Sequence, residues 1–446
     1  MTTLETLKEE NKILRGVKLP LYMSKDDEDC IIMTMLHARE LVYNWATDKL
    51  WKNYNSYTDH MEDYKTLSYA KMSNMFTEYK NSDECDELIA ELHTGTARVA
   101  IREAINNFRM LKNQIAKGAK KPRYHGKDRH ATSFGIRSER SYILDGCLYT
   151  ESIGDLPRLC IPLLTHKFDG IGGNGTVLKS KLTVCWYNPR IVKETIGWYL
   201  CFTIPRDRKS LEDRPWTEPI GIDLGCKTTF QLSTEEFFNQ PDVSRLRKNI
   251  SDRNKEITRL YKLRKKRAHK QGLHVWELSK SKNELKLIER RNKAYKKIHN
   301  KLENFYYRII NDIVKRRPEA IVLETIYVKD IRRNATNPNA SKEIAQVYFC
   351  MIRYMFESKC DEYSIPLYEV NEHYPSSLIC NQCKYKHNNL GKTRIFICPN
   401  CGYTIDRDLN ASLNLRDVYV NRDAVNIKWW NGHGDKLILK DKTTSR

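Results

Sequence analysis

The segment GIDLG at residues 221–225 places an acid where a strand could present it to a ligand. Strand alternation puts Asp223 on the face opposite Ile220 and Ile222, with the two glycines of the segment as its same-face neighbours. Glycines at these positions would leave space for a metal ion and a phosphate to approach the backbone. Asp223 is therefore the first candidate for a catalytic carboxylate.

Two further segments carry acids in comparable settings. The run AIVLE at residues 320–324 is typical of a strand buried on both faces, and it ends in Glu324. In the segment DRDLNA, Asp408 stands at or just before the start of a predicted helix, with Asp406 two residues earlier. A single acid at a helix N-terminus is usually a structural cap, so the evidence lies in the combination of the three segments.

Three carboxylates that converge in one site repel each other unless divalent cations neutralise them. Hard oxygen ligands suit magnesium or manganese. Two such ions, one activating water and one stabilising the leaving 3′ oxygen, are a known solution for phosphodiester hydrolysis. The three segments together therefore predict a magnesium-dependent site that hydrolyses a nucleic-acid backbone.

Two CxxC pairs lie between the second and third acidic segments. Tetrahedral zinc takes four thiolates, and each CxxC turn places two sulfurs on one side of the ion. Four thiolates leave no open position for catalysis, so the pairs predict a structural zinc ribbon. His373 and His387 lie nearby as alternative ligands. The predicted zinc ligands are Cys380, Cys383, Cys398 and Cys401.

The elements that must position these residues differ along the chain. Helical periodicity over roughly 31–116 gives way to strands, with Asp145-Gly146 predicting a type I′ hairpin turn. A polar connector at 212–219 predicts a domain boundary. Two long helical patterns between 243 and 313, broken near Gly272, predict an antiparallel helical hairpin.

Basic residues are abundant throughout the chain. Its 77 Lys and Arg against 56 Asp and Glu leave a formal charge of +21, which favours a polyanionic partner over a small substrate. A Gly- and Pro-punctuated segment at 117–129 and the outer face of the hairpin carry the densest cations. The residues predicted to contact nucleic-acid phosphates are Lys120, Lys121, Arg123, Arg264, Lys265, Lys266 and Arg267.

The remaining bulk properties exclude several classes of protein. A length of 446 residues allows two to four domains with cores of their own, which excludes a disulfide-stapled mini-protein. The N-terminus is charged, and an apolar run long enough to span a membrane is missing from the sequence. We therefore expect a soluble, cytoplasmic protein that is not secreted, whose 13 cysteines are reduced or metal-bound.

Taken together, these motifs resemble those of the TnpB proteins of insertion sequences and of the miniature type V CRISPR effectors. The resemblance rests on GIDLG, on VLE at 322–324, and on the segment from Tyr374 to Leu415 that joins a zinc ribbon to a third acidic motif. It covers 219–415 best. Lys384 departs from the pattern, since glycine is common at this knuckle position.

The resemblance implies a multidomain α+β fold with an RNase H-like (RuvC) α/β nuclease domain, which contains an inserted helical hairpin and a zinc ribbon. It also implies an N-terminal wedge β-barrel and a helical recognition domain. The implied domains are 1–26 for the first wedge strand, 27–116 for the recognition domain, 117–212 for the rest of the wedge, 213–375 for RuvC with its hairpin at 243–313, 376–403 for the ribbon, and 404–446 for the last RuvC part and tail.

The resemblance further implies the function of an RNA-guided DNA endonuclease, with guide RNA and double-stranded target DNA as partners. Asp223, Glu324 and Asp408 resemble the catalytic, magnesium-binding carboxylates of the family, and Asp406 is the competing choice for the third. Two alternatives stay open. One is a catalytically silent RNA-guided DNA-binding repressor, and the other is a guide-free zinc-ribbon nucleic-acid-binding or transposition accessory protein.

Overall fold

Two units, residues 1–206 and 207–446, make up the chain, and they divide just N-terminal to the polar connector. Both units mix helices and strands, so the chain is multidomain α+β as its sequence predicts. Within the described ranges, no helix is long and apolar enough to cross a membrane. The computed structural model describes residues 11–26, 28, 33–57, 65–92, 94–115, 132–136, 141–150, 160–164, 171–172, 186–275, 277–326, 347–371, 374–388, 393–421, 428–430 and 436–438.

The helical part of unit 1 forms where apolar residues recur at helical spacing. Helix α4 (Thr94–Ile115) buries Ile105 and Phe108. Trp45 of α1 (Met33–Asn55) stacks on Tyr79 of α2 (Tyr69–Lys80) with ring centroids 5.5 Å apart, and Trp51 of α1 meets Phe108 edge-on at 4.9 Å. Aromatic packing thus joins α1 to α2 and to α4, and the short helix α3 (Glu87–Glu91) precedes α4 in the chain.

Unit 1 contains eight described strands, which are β1 (Lys12–Leu21), β2 (Ser133–Gly135), β3 (Tyr142–Leu144), β4 (Cys147–Tyr149), β5 (Cys160–Pro162), β6 (Ile171–Gly172), β7 (Tyr187–Glu194) and β8 (Gly197–Asp207). They form two four-stranded sheets, ordered β1-β8-β7-β2 and β5-β4-β3-β6. Positive φ angles of 49° at Asp145 and 74° at Gly146 close the β3–β4 hairpin, which confirms the predicted turn.

Unit 2 is built on a seven-stranded sheet, which comprises β9 (Ile220–Asp223), β10 (Phe230–Leu232), β11 (Phe237–Phe238), β12 (Ile321–Glu324), β13 (Leu367–Val370), β16 (Lys428–Trp430) and β17 (Lys436–Ile438). The spatial order is β11-β10-β9-β12-β13-β16-β17. The central strands β9, β12 and β13 are parallel, and the other pairs are antiparallel. Trp429 and Trp430, whose role the sequence leaves open, lie in β16 next to β13.

Helices cover both faces of this sheet. On one face, Ile222 and Leu323 join the core formed with α6 (Lys282–Lys315) and α7 (Phe349–Tyr363). On the other face, Val322 and Val370 pack against Leu415 of α8 (Arg407–Val420). Since side chains alternate along a strand, Asp223 and Glu324 share the face that α8 covers.

The basic hairpin between β11 and β12 of unit 2 consists of α5 (Ser244–Lys270) and α6, which confirms the predicted helical pair. Gly272, with a φ of 67°, lies in the turn that joins them. Along α5 the buried residues are Ile250, Arg264 and Ala268, so most of this helix faces solvent. The hairpin therefore presents its cations outward.

Candidate magnesium and zinc sites

The ends of β9 and β12 bring two of the predicted acids together. Leu323 is in register with Ile222 on the neighbouring parallel strand, so Glu324 follows level with Asp223. Neighbouring strands lie about 4.8 Å apart, and both side chains point to the same face. Both residues are half-buried. Together they can offer oxygen atoms to one ligand.

Helix α8 carries the third acid to the same place. Asp406 is the N-cap: its Oδ1 accepts hydrogen bonds from the N–H groups of Asp408 and Leu409, at 2.9 and 3.1 Å. Asp408 lies in the first turn, near enough to contribute to the electrostatics of Asp223. Of the two acids that the sequence leaves as candidates, Asp406 caps the helix, and the charges of both Asp406 and Asp408 raise the pKa of Asp223.

Gly221 has a different role from the one predicted. A Cβ atom at this position would meet the backbone oxygen of Ser412 and lie 2.5 Å from the backbone nitrogen of Arg416. At Gly225, a Cβ would lie 2.6 Å from the backbone oxygen of Thr228. The space at these glycines is filled by the backbone of α8 and by a turn, so the prediction that they admit a metal ion and a phosphate is wrong.

Two carboxyl groups of the site, Asp223 and Glu324, have raised pKa values. Burial, followed by the charges of Glu324 and Asp408, raises the pKa of Asp223 well above its ordinary value, and Arg407 acts in the opposite direction. Burial raises the pKa of Glu324 to about 7. Carboxylates in such a setting gain stability when a cation neutralises them.

Two arginines already supply part of that positive charge. Nη2 of Arg394, which precedes β14 (Ile395–Ile397), lies 3.1 Å from Oδ2 of Asp408. Nε of Arg407 lies 3.8 Å from the other carboxylate oxygen of Asp408. Arg394 was not predicted as a site residue, because its ion pair with Asp408 depends on how the ribbon folds back on α8.

The chemistry of the donor set fits a small, hard cation. Asp223, Glu324 and Asp408 offer carboxylate oxygens, the ligands that magnesium and manganese take in sites that also bind phosphates. The clustering of like charges in a partly buried place is the physical feature that such an ion would relieve. These residues are therefore the candidate magnesium ligands.

The four paired cysteines form a compact cluster. Their sulfur atoms all lie within 4.8 Å of one another. The Cys380 and Cys401 sulfurs are 3.7 Å apart, and those of Cys383 and Cys398 are 3.5 Å apart. Zinc–sulfur bonds of about 2.3 Å in a tetrahedron require sulfur separations of about 3.8 Å. The cluster can therefore hold one structural zinc ion.

The two cysteine pairs sit in matching turns. In the first, the Lys384 N–H donates to the Cys380 carbonyl at 2.9 Å, and in the second the Gly402 N–H donates to the Cys398 carbonyl at 2.9 Å. Both turns need a positive φ, which is 60° at Lys384 and 73° at Gly402. Lys384 thus adopts the backbone conformation of the glycine that it replaces.

Of the two histidines named as alternative ligands, His387 is not part of this cluster. His387 packs its ring against Phe396 of β14, with centroids 6.4 Å apart. His373 lies outside the described residues. The strand β14 pairs with β15 (Thr404–Asp406), and this hairpin runs from the ribbon directly into α8.

The predicted nucleic-acid contacts divide into three groups. Lys265, Lys266 and Arg267 are exposed on α5, whereas Lys120, Lys121 and Arg123 lie outside the described residues. Arg264 is buried: its Nη2 lies 3.0 Å from Oε1 of Glu284, and its Nη1 donates to backbone oxygens in the hairpin turn. The prediction that Arg264 contacts phosphate is therefore wrong, because its guanidinium is used to join the two helices.

The chain is similar to several known proteins. Residues 349–415 match the family model described as the Cas12f1-like TNB domain. A putative RNA-guided DNA endonuclease of Streptomyces pristinaespiralis is 22% identical over 91% of this chain and 89% of its own length. The TnpB-like protein L79 of Acanthamoeba polyphaga mimivirus is 27% identical over 31% of this chain and 26% of its own length. The resemblance inferred from the motifs is thereby confirmed.

Two solved structures are also similar. A CRISPR-Cas12f ternary complex aligns with 86% of this chain and 80% of its own, at 16% identity and a TM-score of 0.32. CasPhi-2 (Cas12j) bound to crRNA aligns with 91% of this chain and 98% of its own, at 13% identity and a TM-score of 0.41.

Proposed function

We propose that this chain is an RNA-guided DNA endonuclease that cleaves target DNA by magnesium-dependent phosphodiester hydrolysis. The observation that carries the proposal is that Glu324 of β12 and Asp408 of α8 lie near enough to Asp223 of β9 for their charges to raise its pKa. Acids from three elements far apart in sequence have no evident structural need for one another. Their mutual repulsion is instead explained by a divalent cation.

The proposal includes an RNase H-like fold for unit 2. The antiparallel strands β11, β10 and β9, continued by the parallel strands β12 and β13, support this assignment. For unit 1, we propose that the sheets form the wedge-type barrel and that α1 to α4 form the recognition domain. Guide RNA and the flanking duplex motif would bind there and along the exposed cations of α5.

In the proposed nuclease site, Asp223 and Glu324 would hold the cation from adjacent strands, and Asp408 of α8 would be the third ligand. Magnesium, when bound, supplies an activated water and a counter-charge for the leaving 3′ oxygen. Arg394 neutralises Asp408 before loading and can then donate to a phosphate oxygen of the DNA strand. The zinc ribbon has a structural role, since four thiolates complete the coordination of the ion.

RNA guidance is supported by two observations. The relative from Streptomyces pristinaespiralis, similar over most of both chains, bears the name of an RNA-guided DNA endonuclease. The formal charge of +21 is suited to a bound polyanion, and it predicts affinity that falls steeply with salt.

The test is to purify the protein with its co-expressed RNA, sequence that RNA, and assay cleavage of a matched plasmid with magnesium. Asp223→Ala should lose cleavage and keep RNA and target binding, because it removes a metal ligand without changing the basic surface. Asp252→Ala, which removes an exposed acid on α5, is the matched control and should cleave like the wild type.

Three results would count against the proposal. If Asp223→Ala cleaves as well as the wild type, the carboxylate assignment is wrong. If the wild type binds its target but never cuts, the repressor alternative is favoured. If RNA does not co-purify, the guide-free accessory protein is favoured.

A further inference from the structure

Two asparagines one turn apart on α8, Asn410 and Asn414, are completely buried. Nδ2 of Asn410 donates to the Ile379 carbonyl at 2.7 Å, and Nδ2 of Asn414 donates to the same oxygen at 2.7 Å. Nδ2 of Asn414 also donates to the Ser376 carbonyl at 2.8 Å. These carbonyls belong to the segment that enters the first zinc knuckle, so both asparagines tie α8 to the ribbon.

The oxygen atoms of the same two side chains are used as well. Oδ1 of Asn410 accepts from the backbone N–H of Asn381 at 3.0 Å, and Oδ1 of Asn414 accepts from Nδ2 of Asn381 at 3.3 Å. Turning either amide over would oppose donor to donor and acceptor to acceptor. Ile379 and Asn381 are the two neighbours of Cys380, so α8 is hydrogen-bonded to the backbone on both sides of a candidate zinc ligand.

A third turn of α8 extends this contact. Oδ2 of Asp417 accepts from Nδ2 of Asn381 at 2.7 Å and from Nζ of Lys384 at 2.8 Å. We call Asn381, Asn410, Asn414 and Asp417 the amide clasp. From Asn410 to Asp417 the clasp spans about two turns of α8, so its hydrogen bonds restrict both the rotation of the helix and its shift along its own axis.

Asp408 lies only two residues before Asn410 in the same helix, about 3 Å along the helix axis. On the other side of α8, the backbone at Ser412 rests on Gly221 of β9. The glycine contact sets how closely the helix approaches the sheet. The clasp sets which way Asp408 faces once the helix is there.

We infer that Asn381, Asn410 and Asn414 are positioning residues of the magnesium site, through which the zinc-loaded ribbon holds Asp408 opposite Asp223 and Glu324. The inference rests on the proposed function, because it concerns the same carboxylates. The inference makes magnesium binding dependent on zinc. When Cys380 is released from the zinc cluster, its neighbours Ile379 and Asn381 are no longer held in place for their hydrogen bonds to α8. Buried partners that orient metal ligands typically change metal affinity by about 10–100-fold when removed.

The experiment compares Asn410→Ala, Asn414→Ala and Asn381→Ala with the wild type in the full-length protein. Asn421→Ala, which changes an exposed asparagine at the end of the same helix, is the control. Affinity for Mn²⁺ is measured by calorimetry, zinc content by elemental analysis, and amide hydrogen exchange by mass spectrometry. Asn381→Ala leaves the sequence of α8 intact and therefore serves as the second variant if the buried substitutions impair folding.

We expect the clasp variants to keep their zinc, bind Mn²⁺ roughly tenfold more weakly, and exchange faster in the first turns of α8. In cleavage assays they should need more magnesium for half-maximal rate while the KM for target DNA stays unchanged. A general loss of stability would lower the active fraction without moving the magnesium requirement.

Unchanged exchange in α8 together with unchanged Mn²⁺ affinity in Asn381→Ala and Asn410→Ala would overturn the inference. Failure of the proposed function gives another pattern: Asp408→Ala would then bind Mn²⁺ like the wild type. In that case the exchange rates still decide whether the clasp holds the helix.

Discussion

Replacing Glu324 by glutamine should stabilise the protein in the absence of magnesium. A pKa of about 7 in place of the ordinary 4.5 means that the folded protein holds the proton more tightly than the unfolded chain does. The contribution that protonated Glu324 makes to folding stability is therefore fully present below the ordinary pKa of 4.5 and is lost as pH rises through about 7. The difference corresponds to about 3 kcal/mol for the ionised carboxylate. Glutamine has the same shape and does not ionise.

Glu324→Gln should thus be more stable than the wild type by up to about 3 kcal/mol near pH 8, and this advantage should shrink by about 2 kcal/mol near pH 5.5. Urea denaturation in buffer freed of magnesium but not of zinc measures the difference. Hydrogen exchange in peptides that cover β9 and β12 reports on unit 2 alone. Added magnesium should stabilise the wild type and leave the variant almost unchanged.

Glu256→Gln is the matched control, because a hydrogen bond from Arg259 lowers the pKa of Glu256 and the substitution should bring no gain. A Glu324→Gln variant that is less stable than the wild type near pH 8 would contradict the raised pKa of Glu324. A difference in stability between the two proteins that does not depend on pH would contradict it as well.

Three further outcomes follow from contacts described above. Gly221→Ala should destabilise unit 2 by about 3 kcal/mol or more in urea denaturation, because the new methyl group meets the backbone of α8, whereas Gly16→Ala, with open space around it, should not. Arg264→Ala should cost about 3–5 kcal/mol by leaving the buried Glu284 unpaired, and Lys265→Ala, at an exposed site, should change stability by less than about 0.5 kcal/mol. Chelating zinc should speed hydrogen exchange in β14 and β15, since the clustered thiols lose the ion they share.

The sequence predicted the features that depend on local pattern. Alternation in the first motif correctly separates Asp223 from Ile222, and the paired cysteines lie together as their spacing requires. Both follow from geometry within a few residues of one another.

Features that depend on distant contacts were missed or misassigned. Gly221 was interpreted by its neighbours in the strand, although its space is taken by a helix almost two hundred residues later. Asn410 and Asn414 looked like ordinary helix residues because their partners belong to the ribbon. The burial of Arg264 could have been predicted, because Arg264 follows Ile257 by seven residues and Ile250 by fourteen, which places it on the same face of α5 as the buried Ile250.

The position of α8 late in the chain, long after β9, has a consequence for synthesis of the protein. Asp408 follows Asp223 by 185 residues (408 − 223), which at about 5–20 residues per second corresponds to roughly ten to forty seconds of translation. During this interval the growing chain has the first carboxylate but neither the ribbon nor the helix that brings the last one. Until the ribbon and α8 have been made, the growing chain therefore lacks part of the proposed metal site, and the proposed nuclease activity should begin only after the ribbon has taken up its zinc.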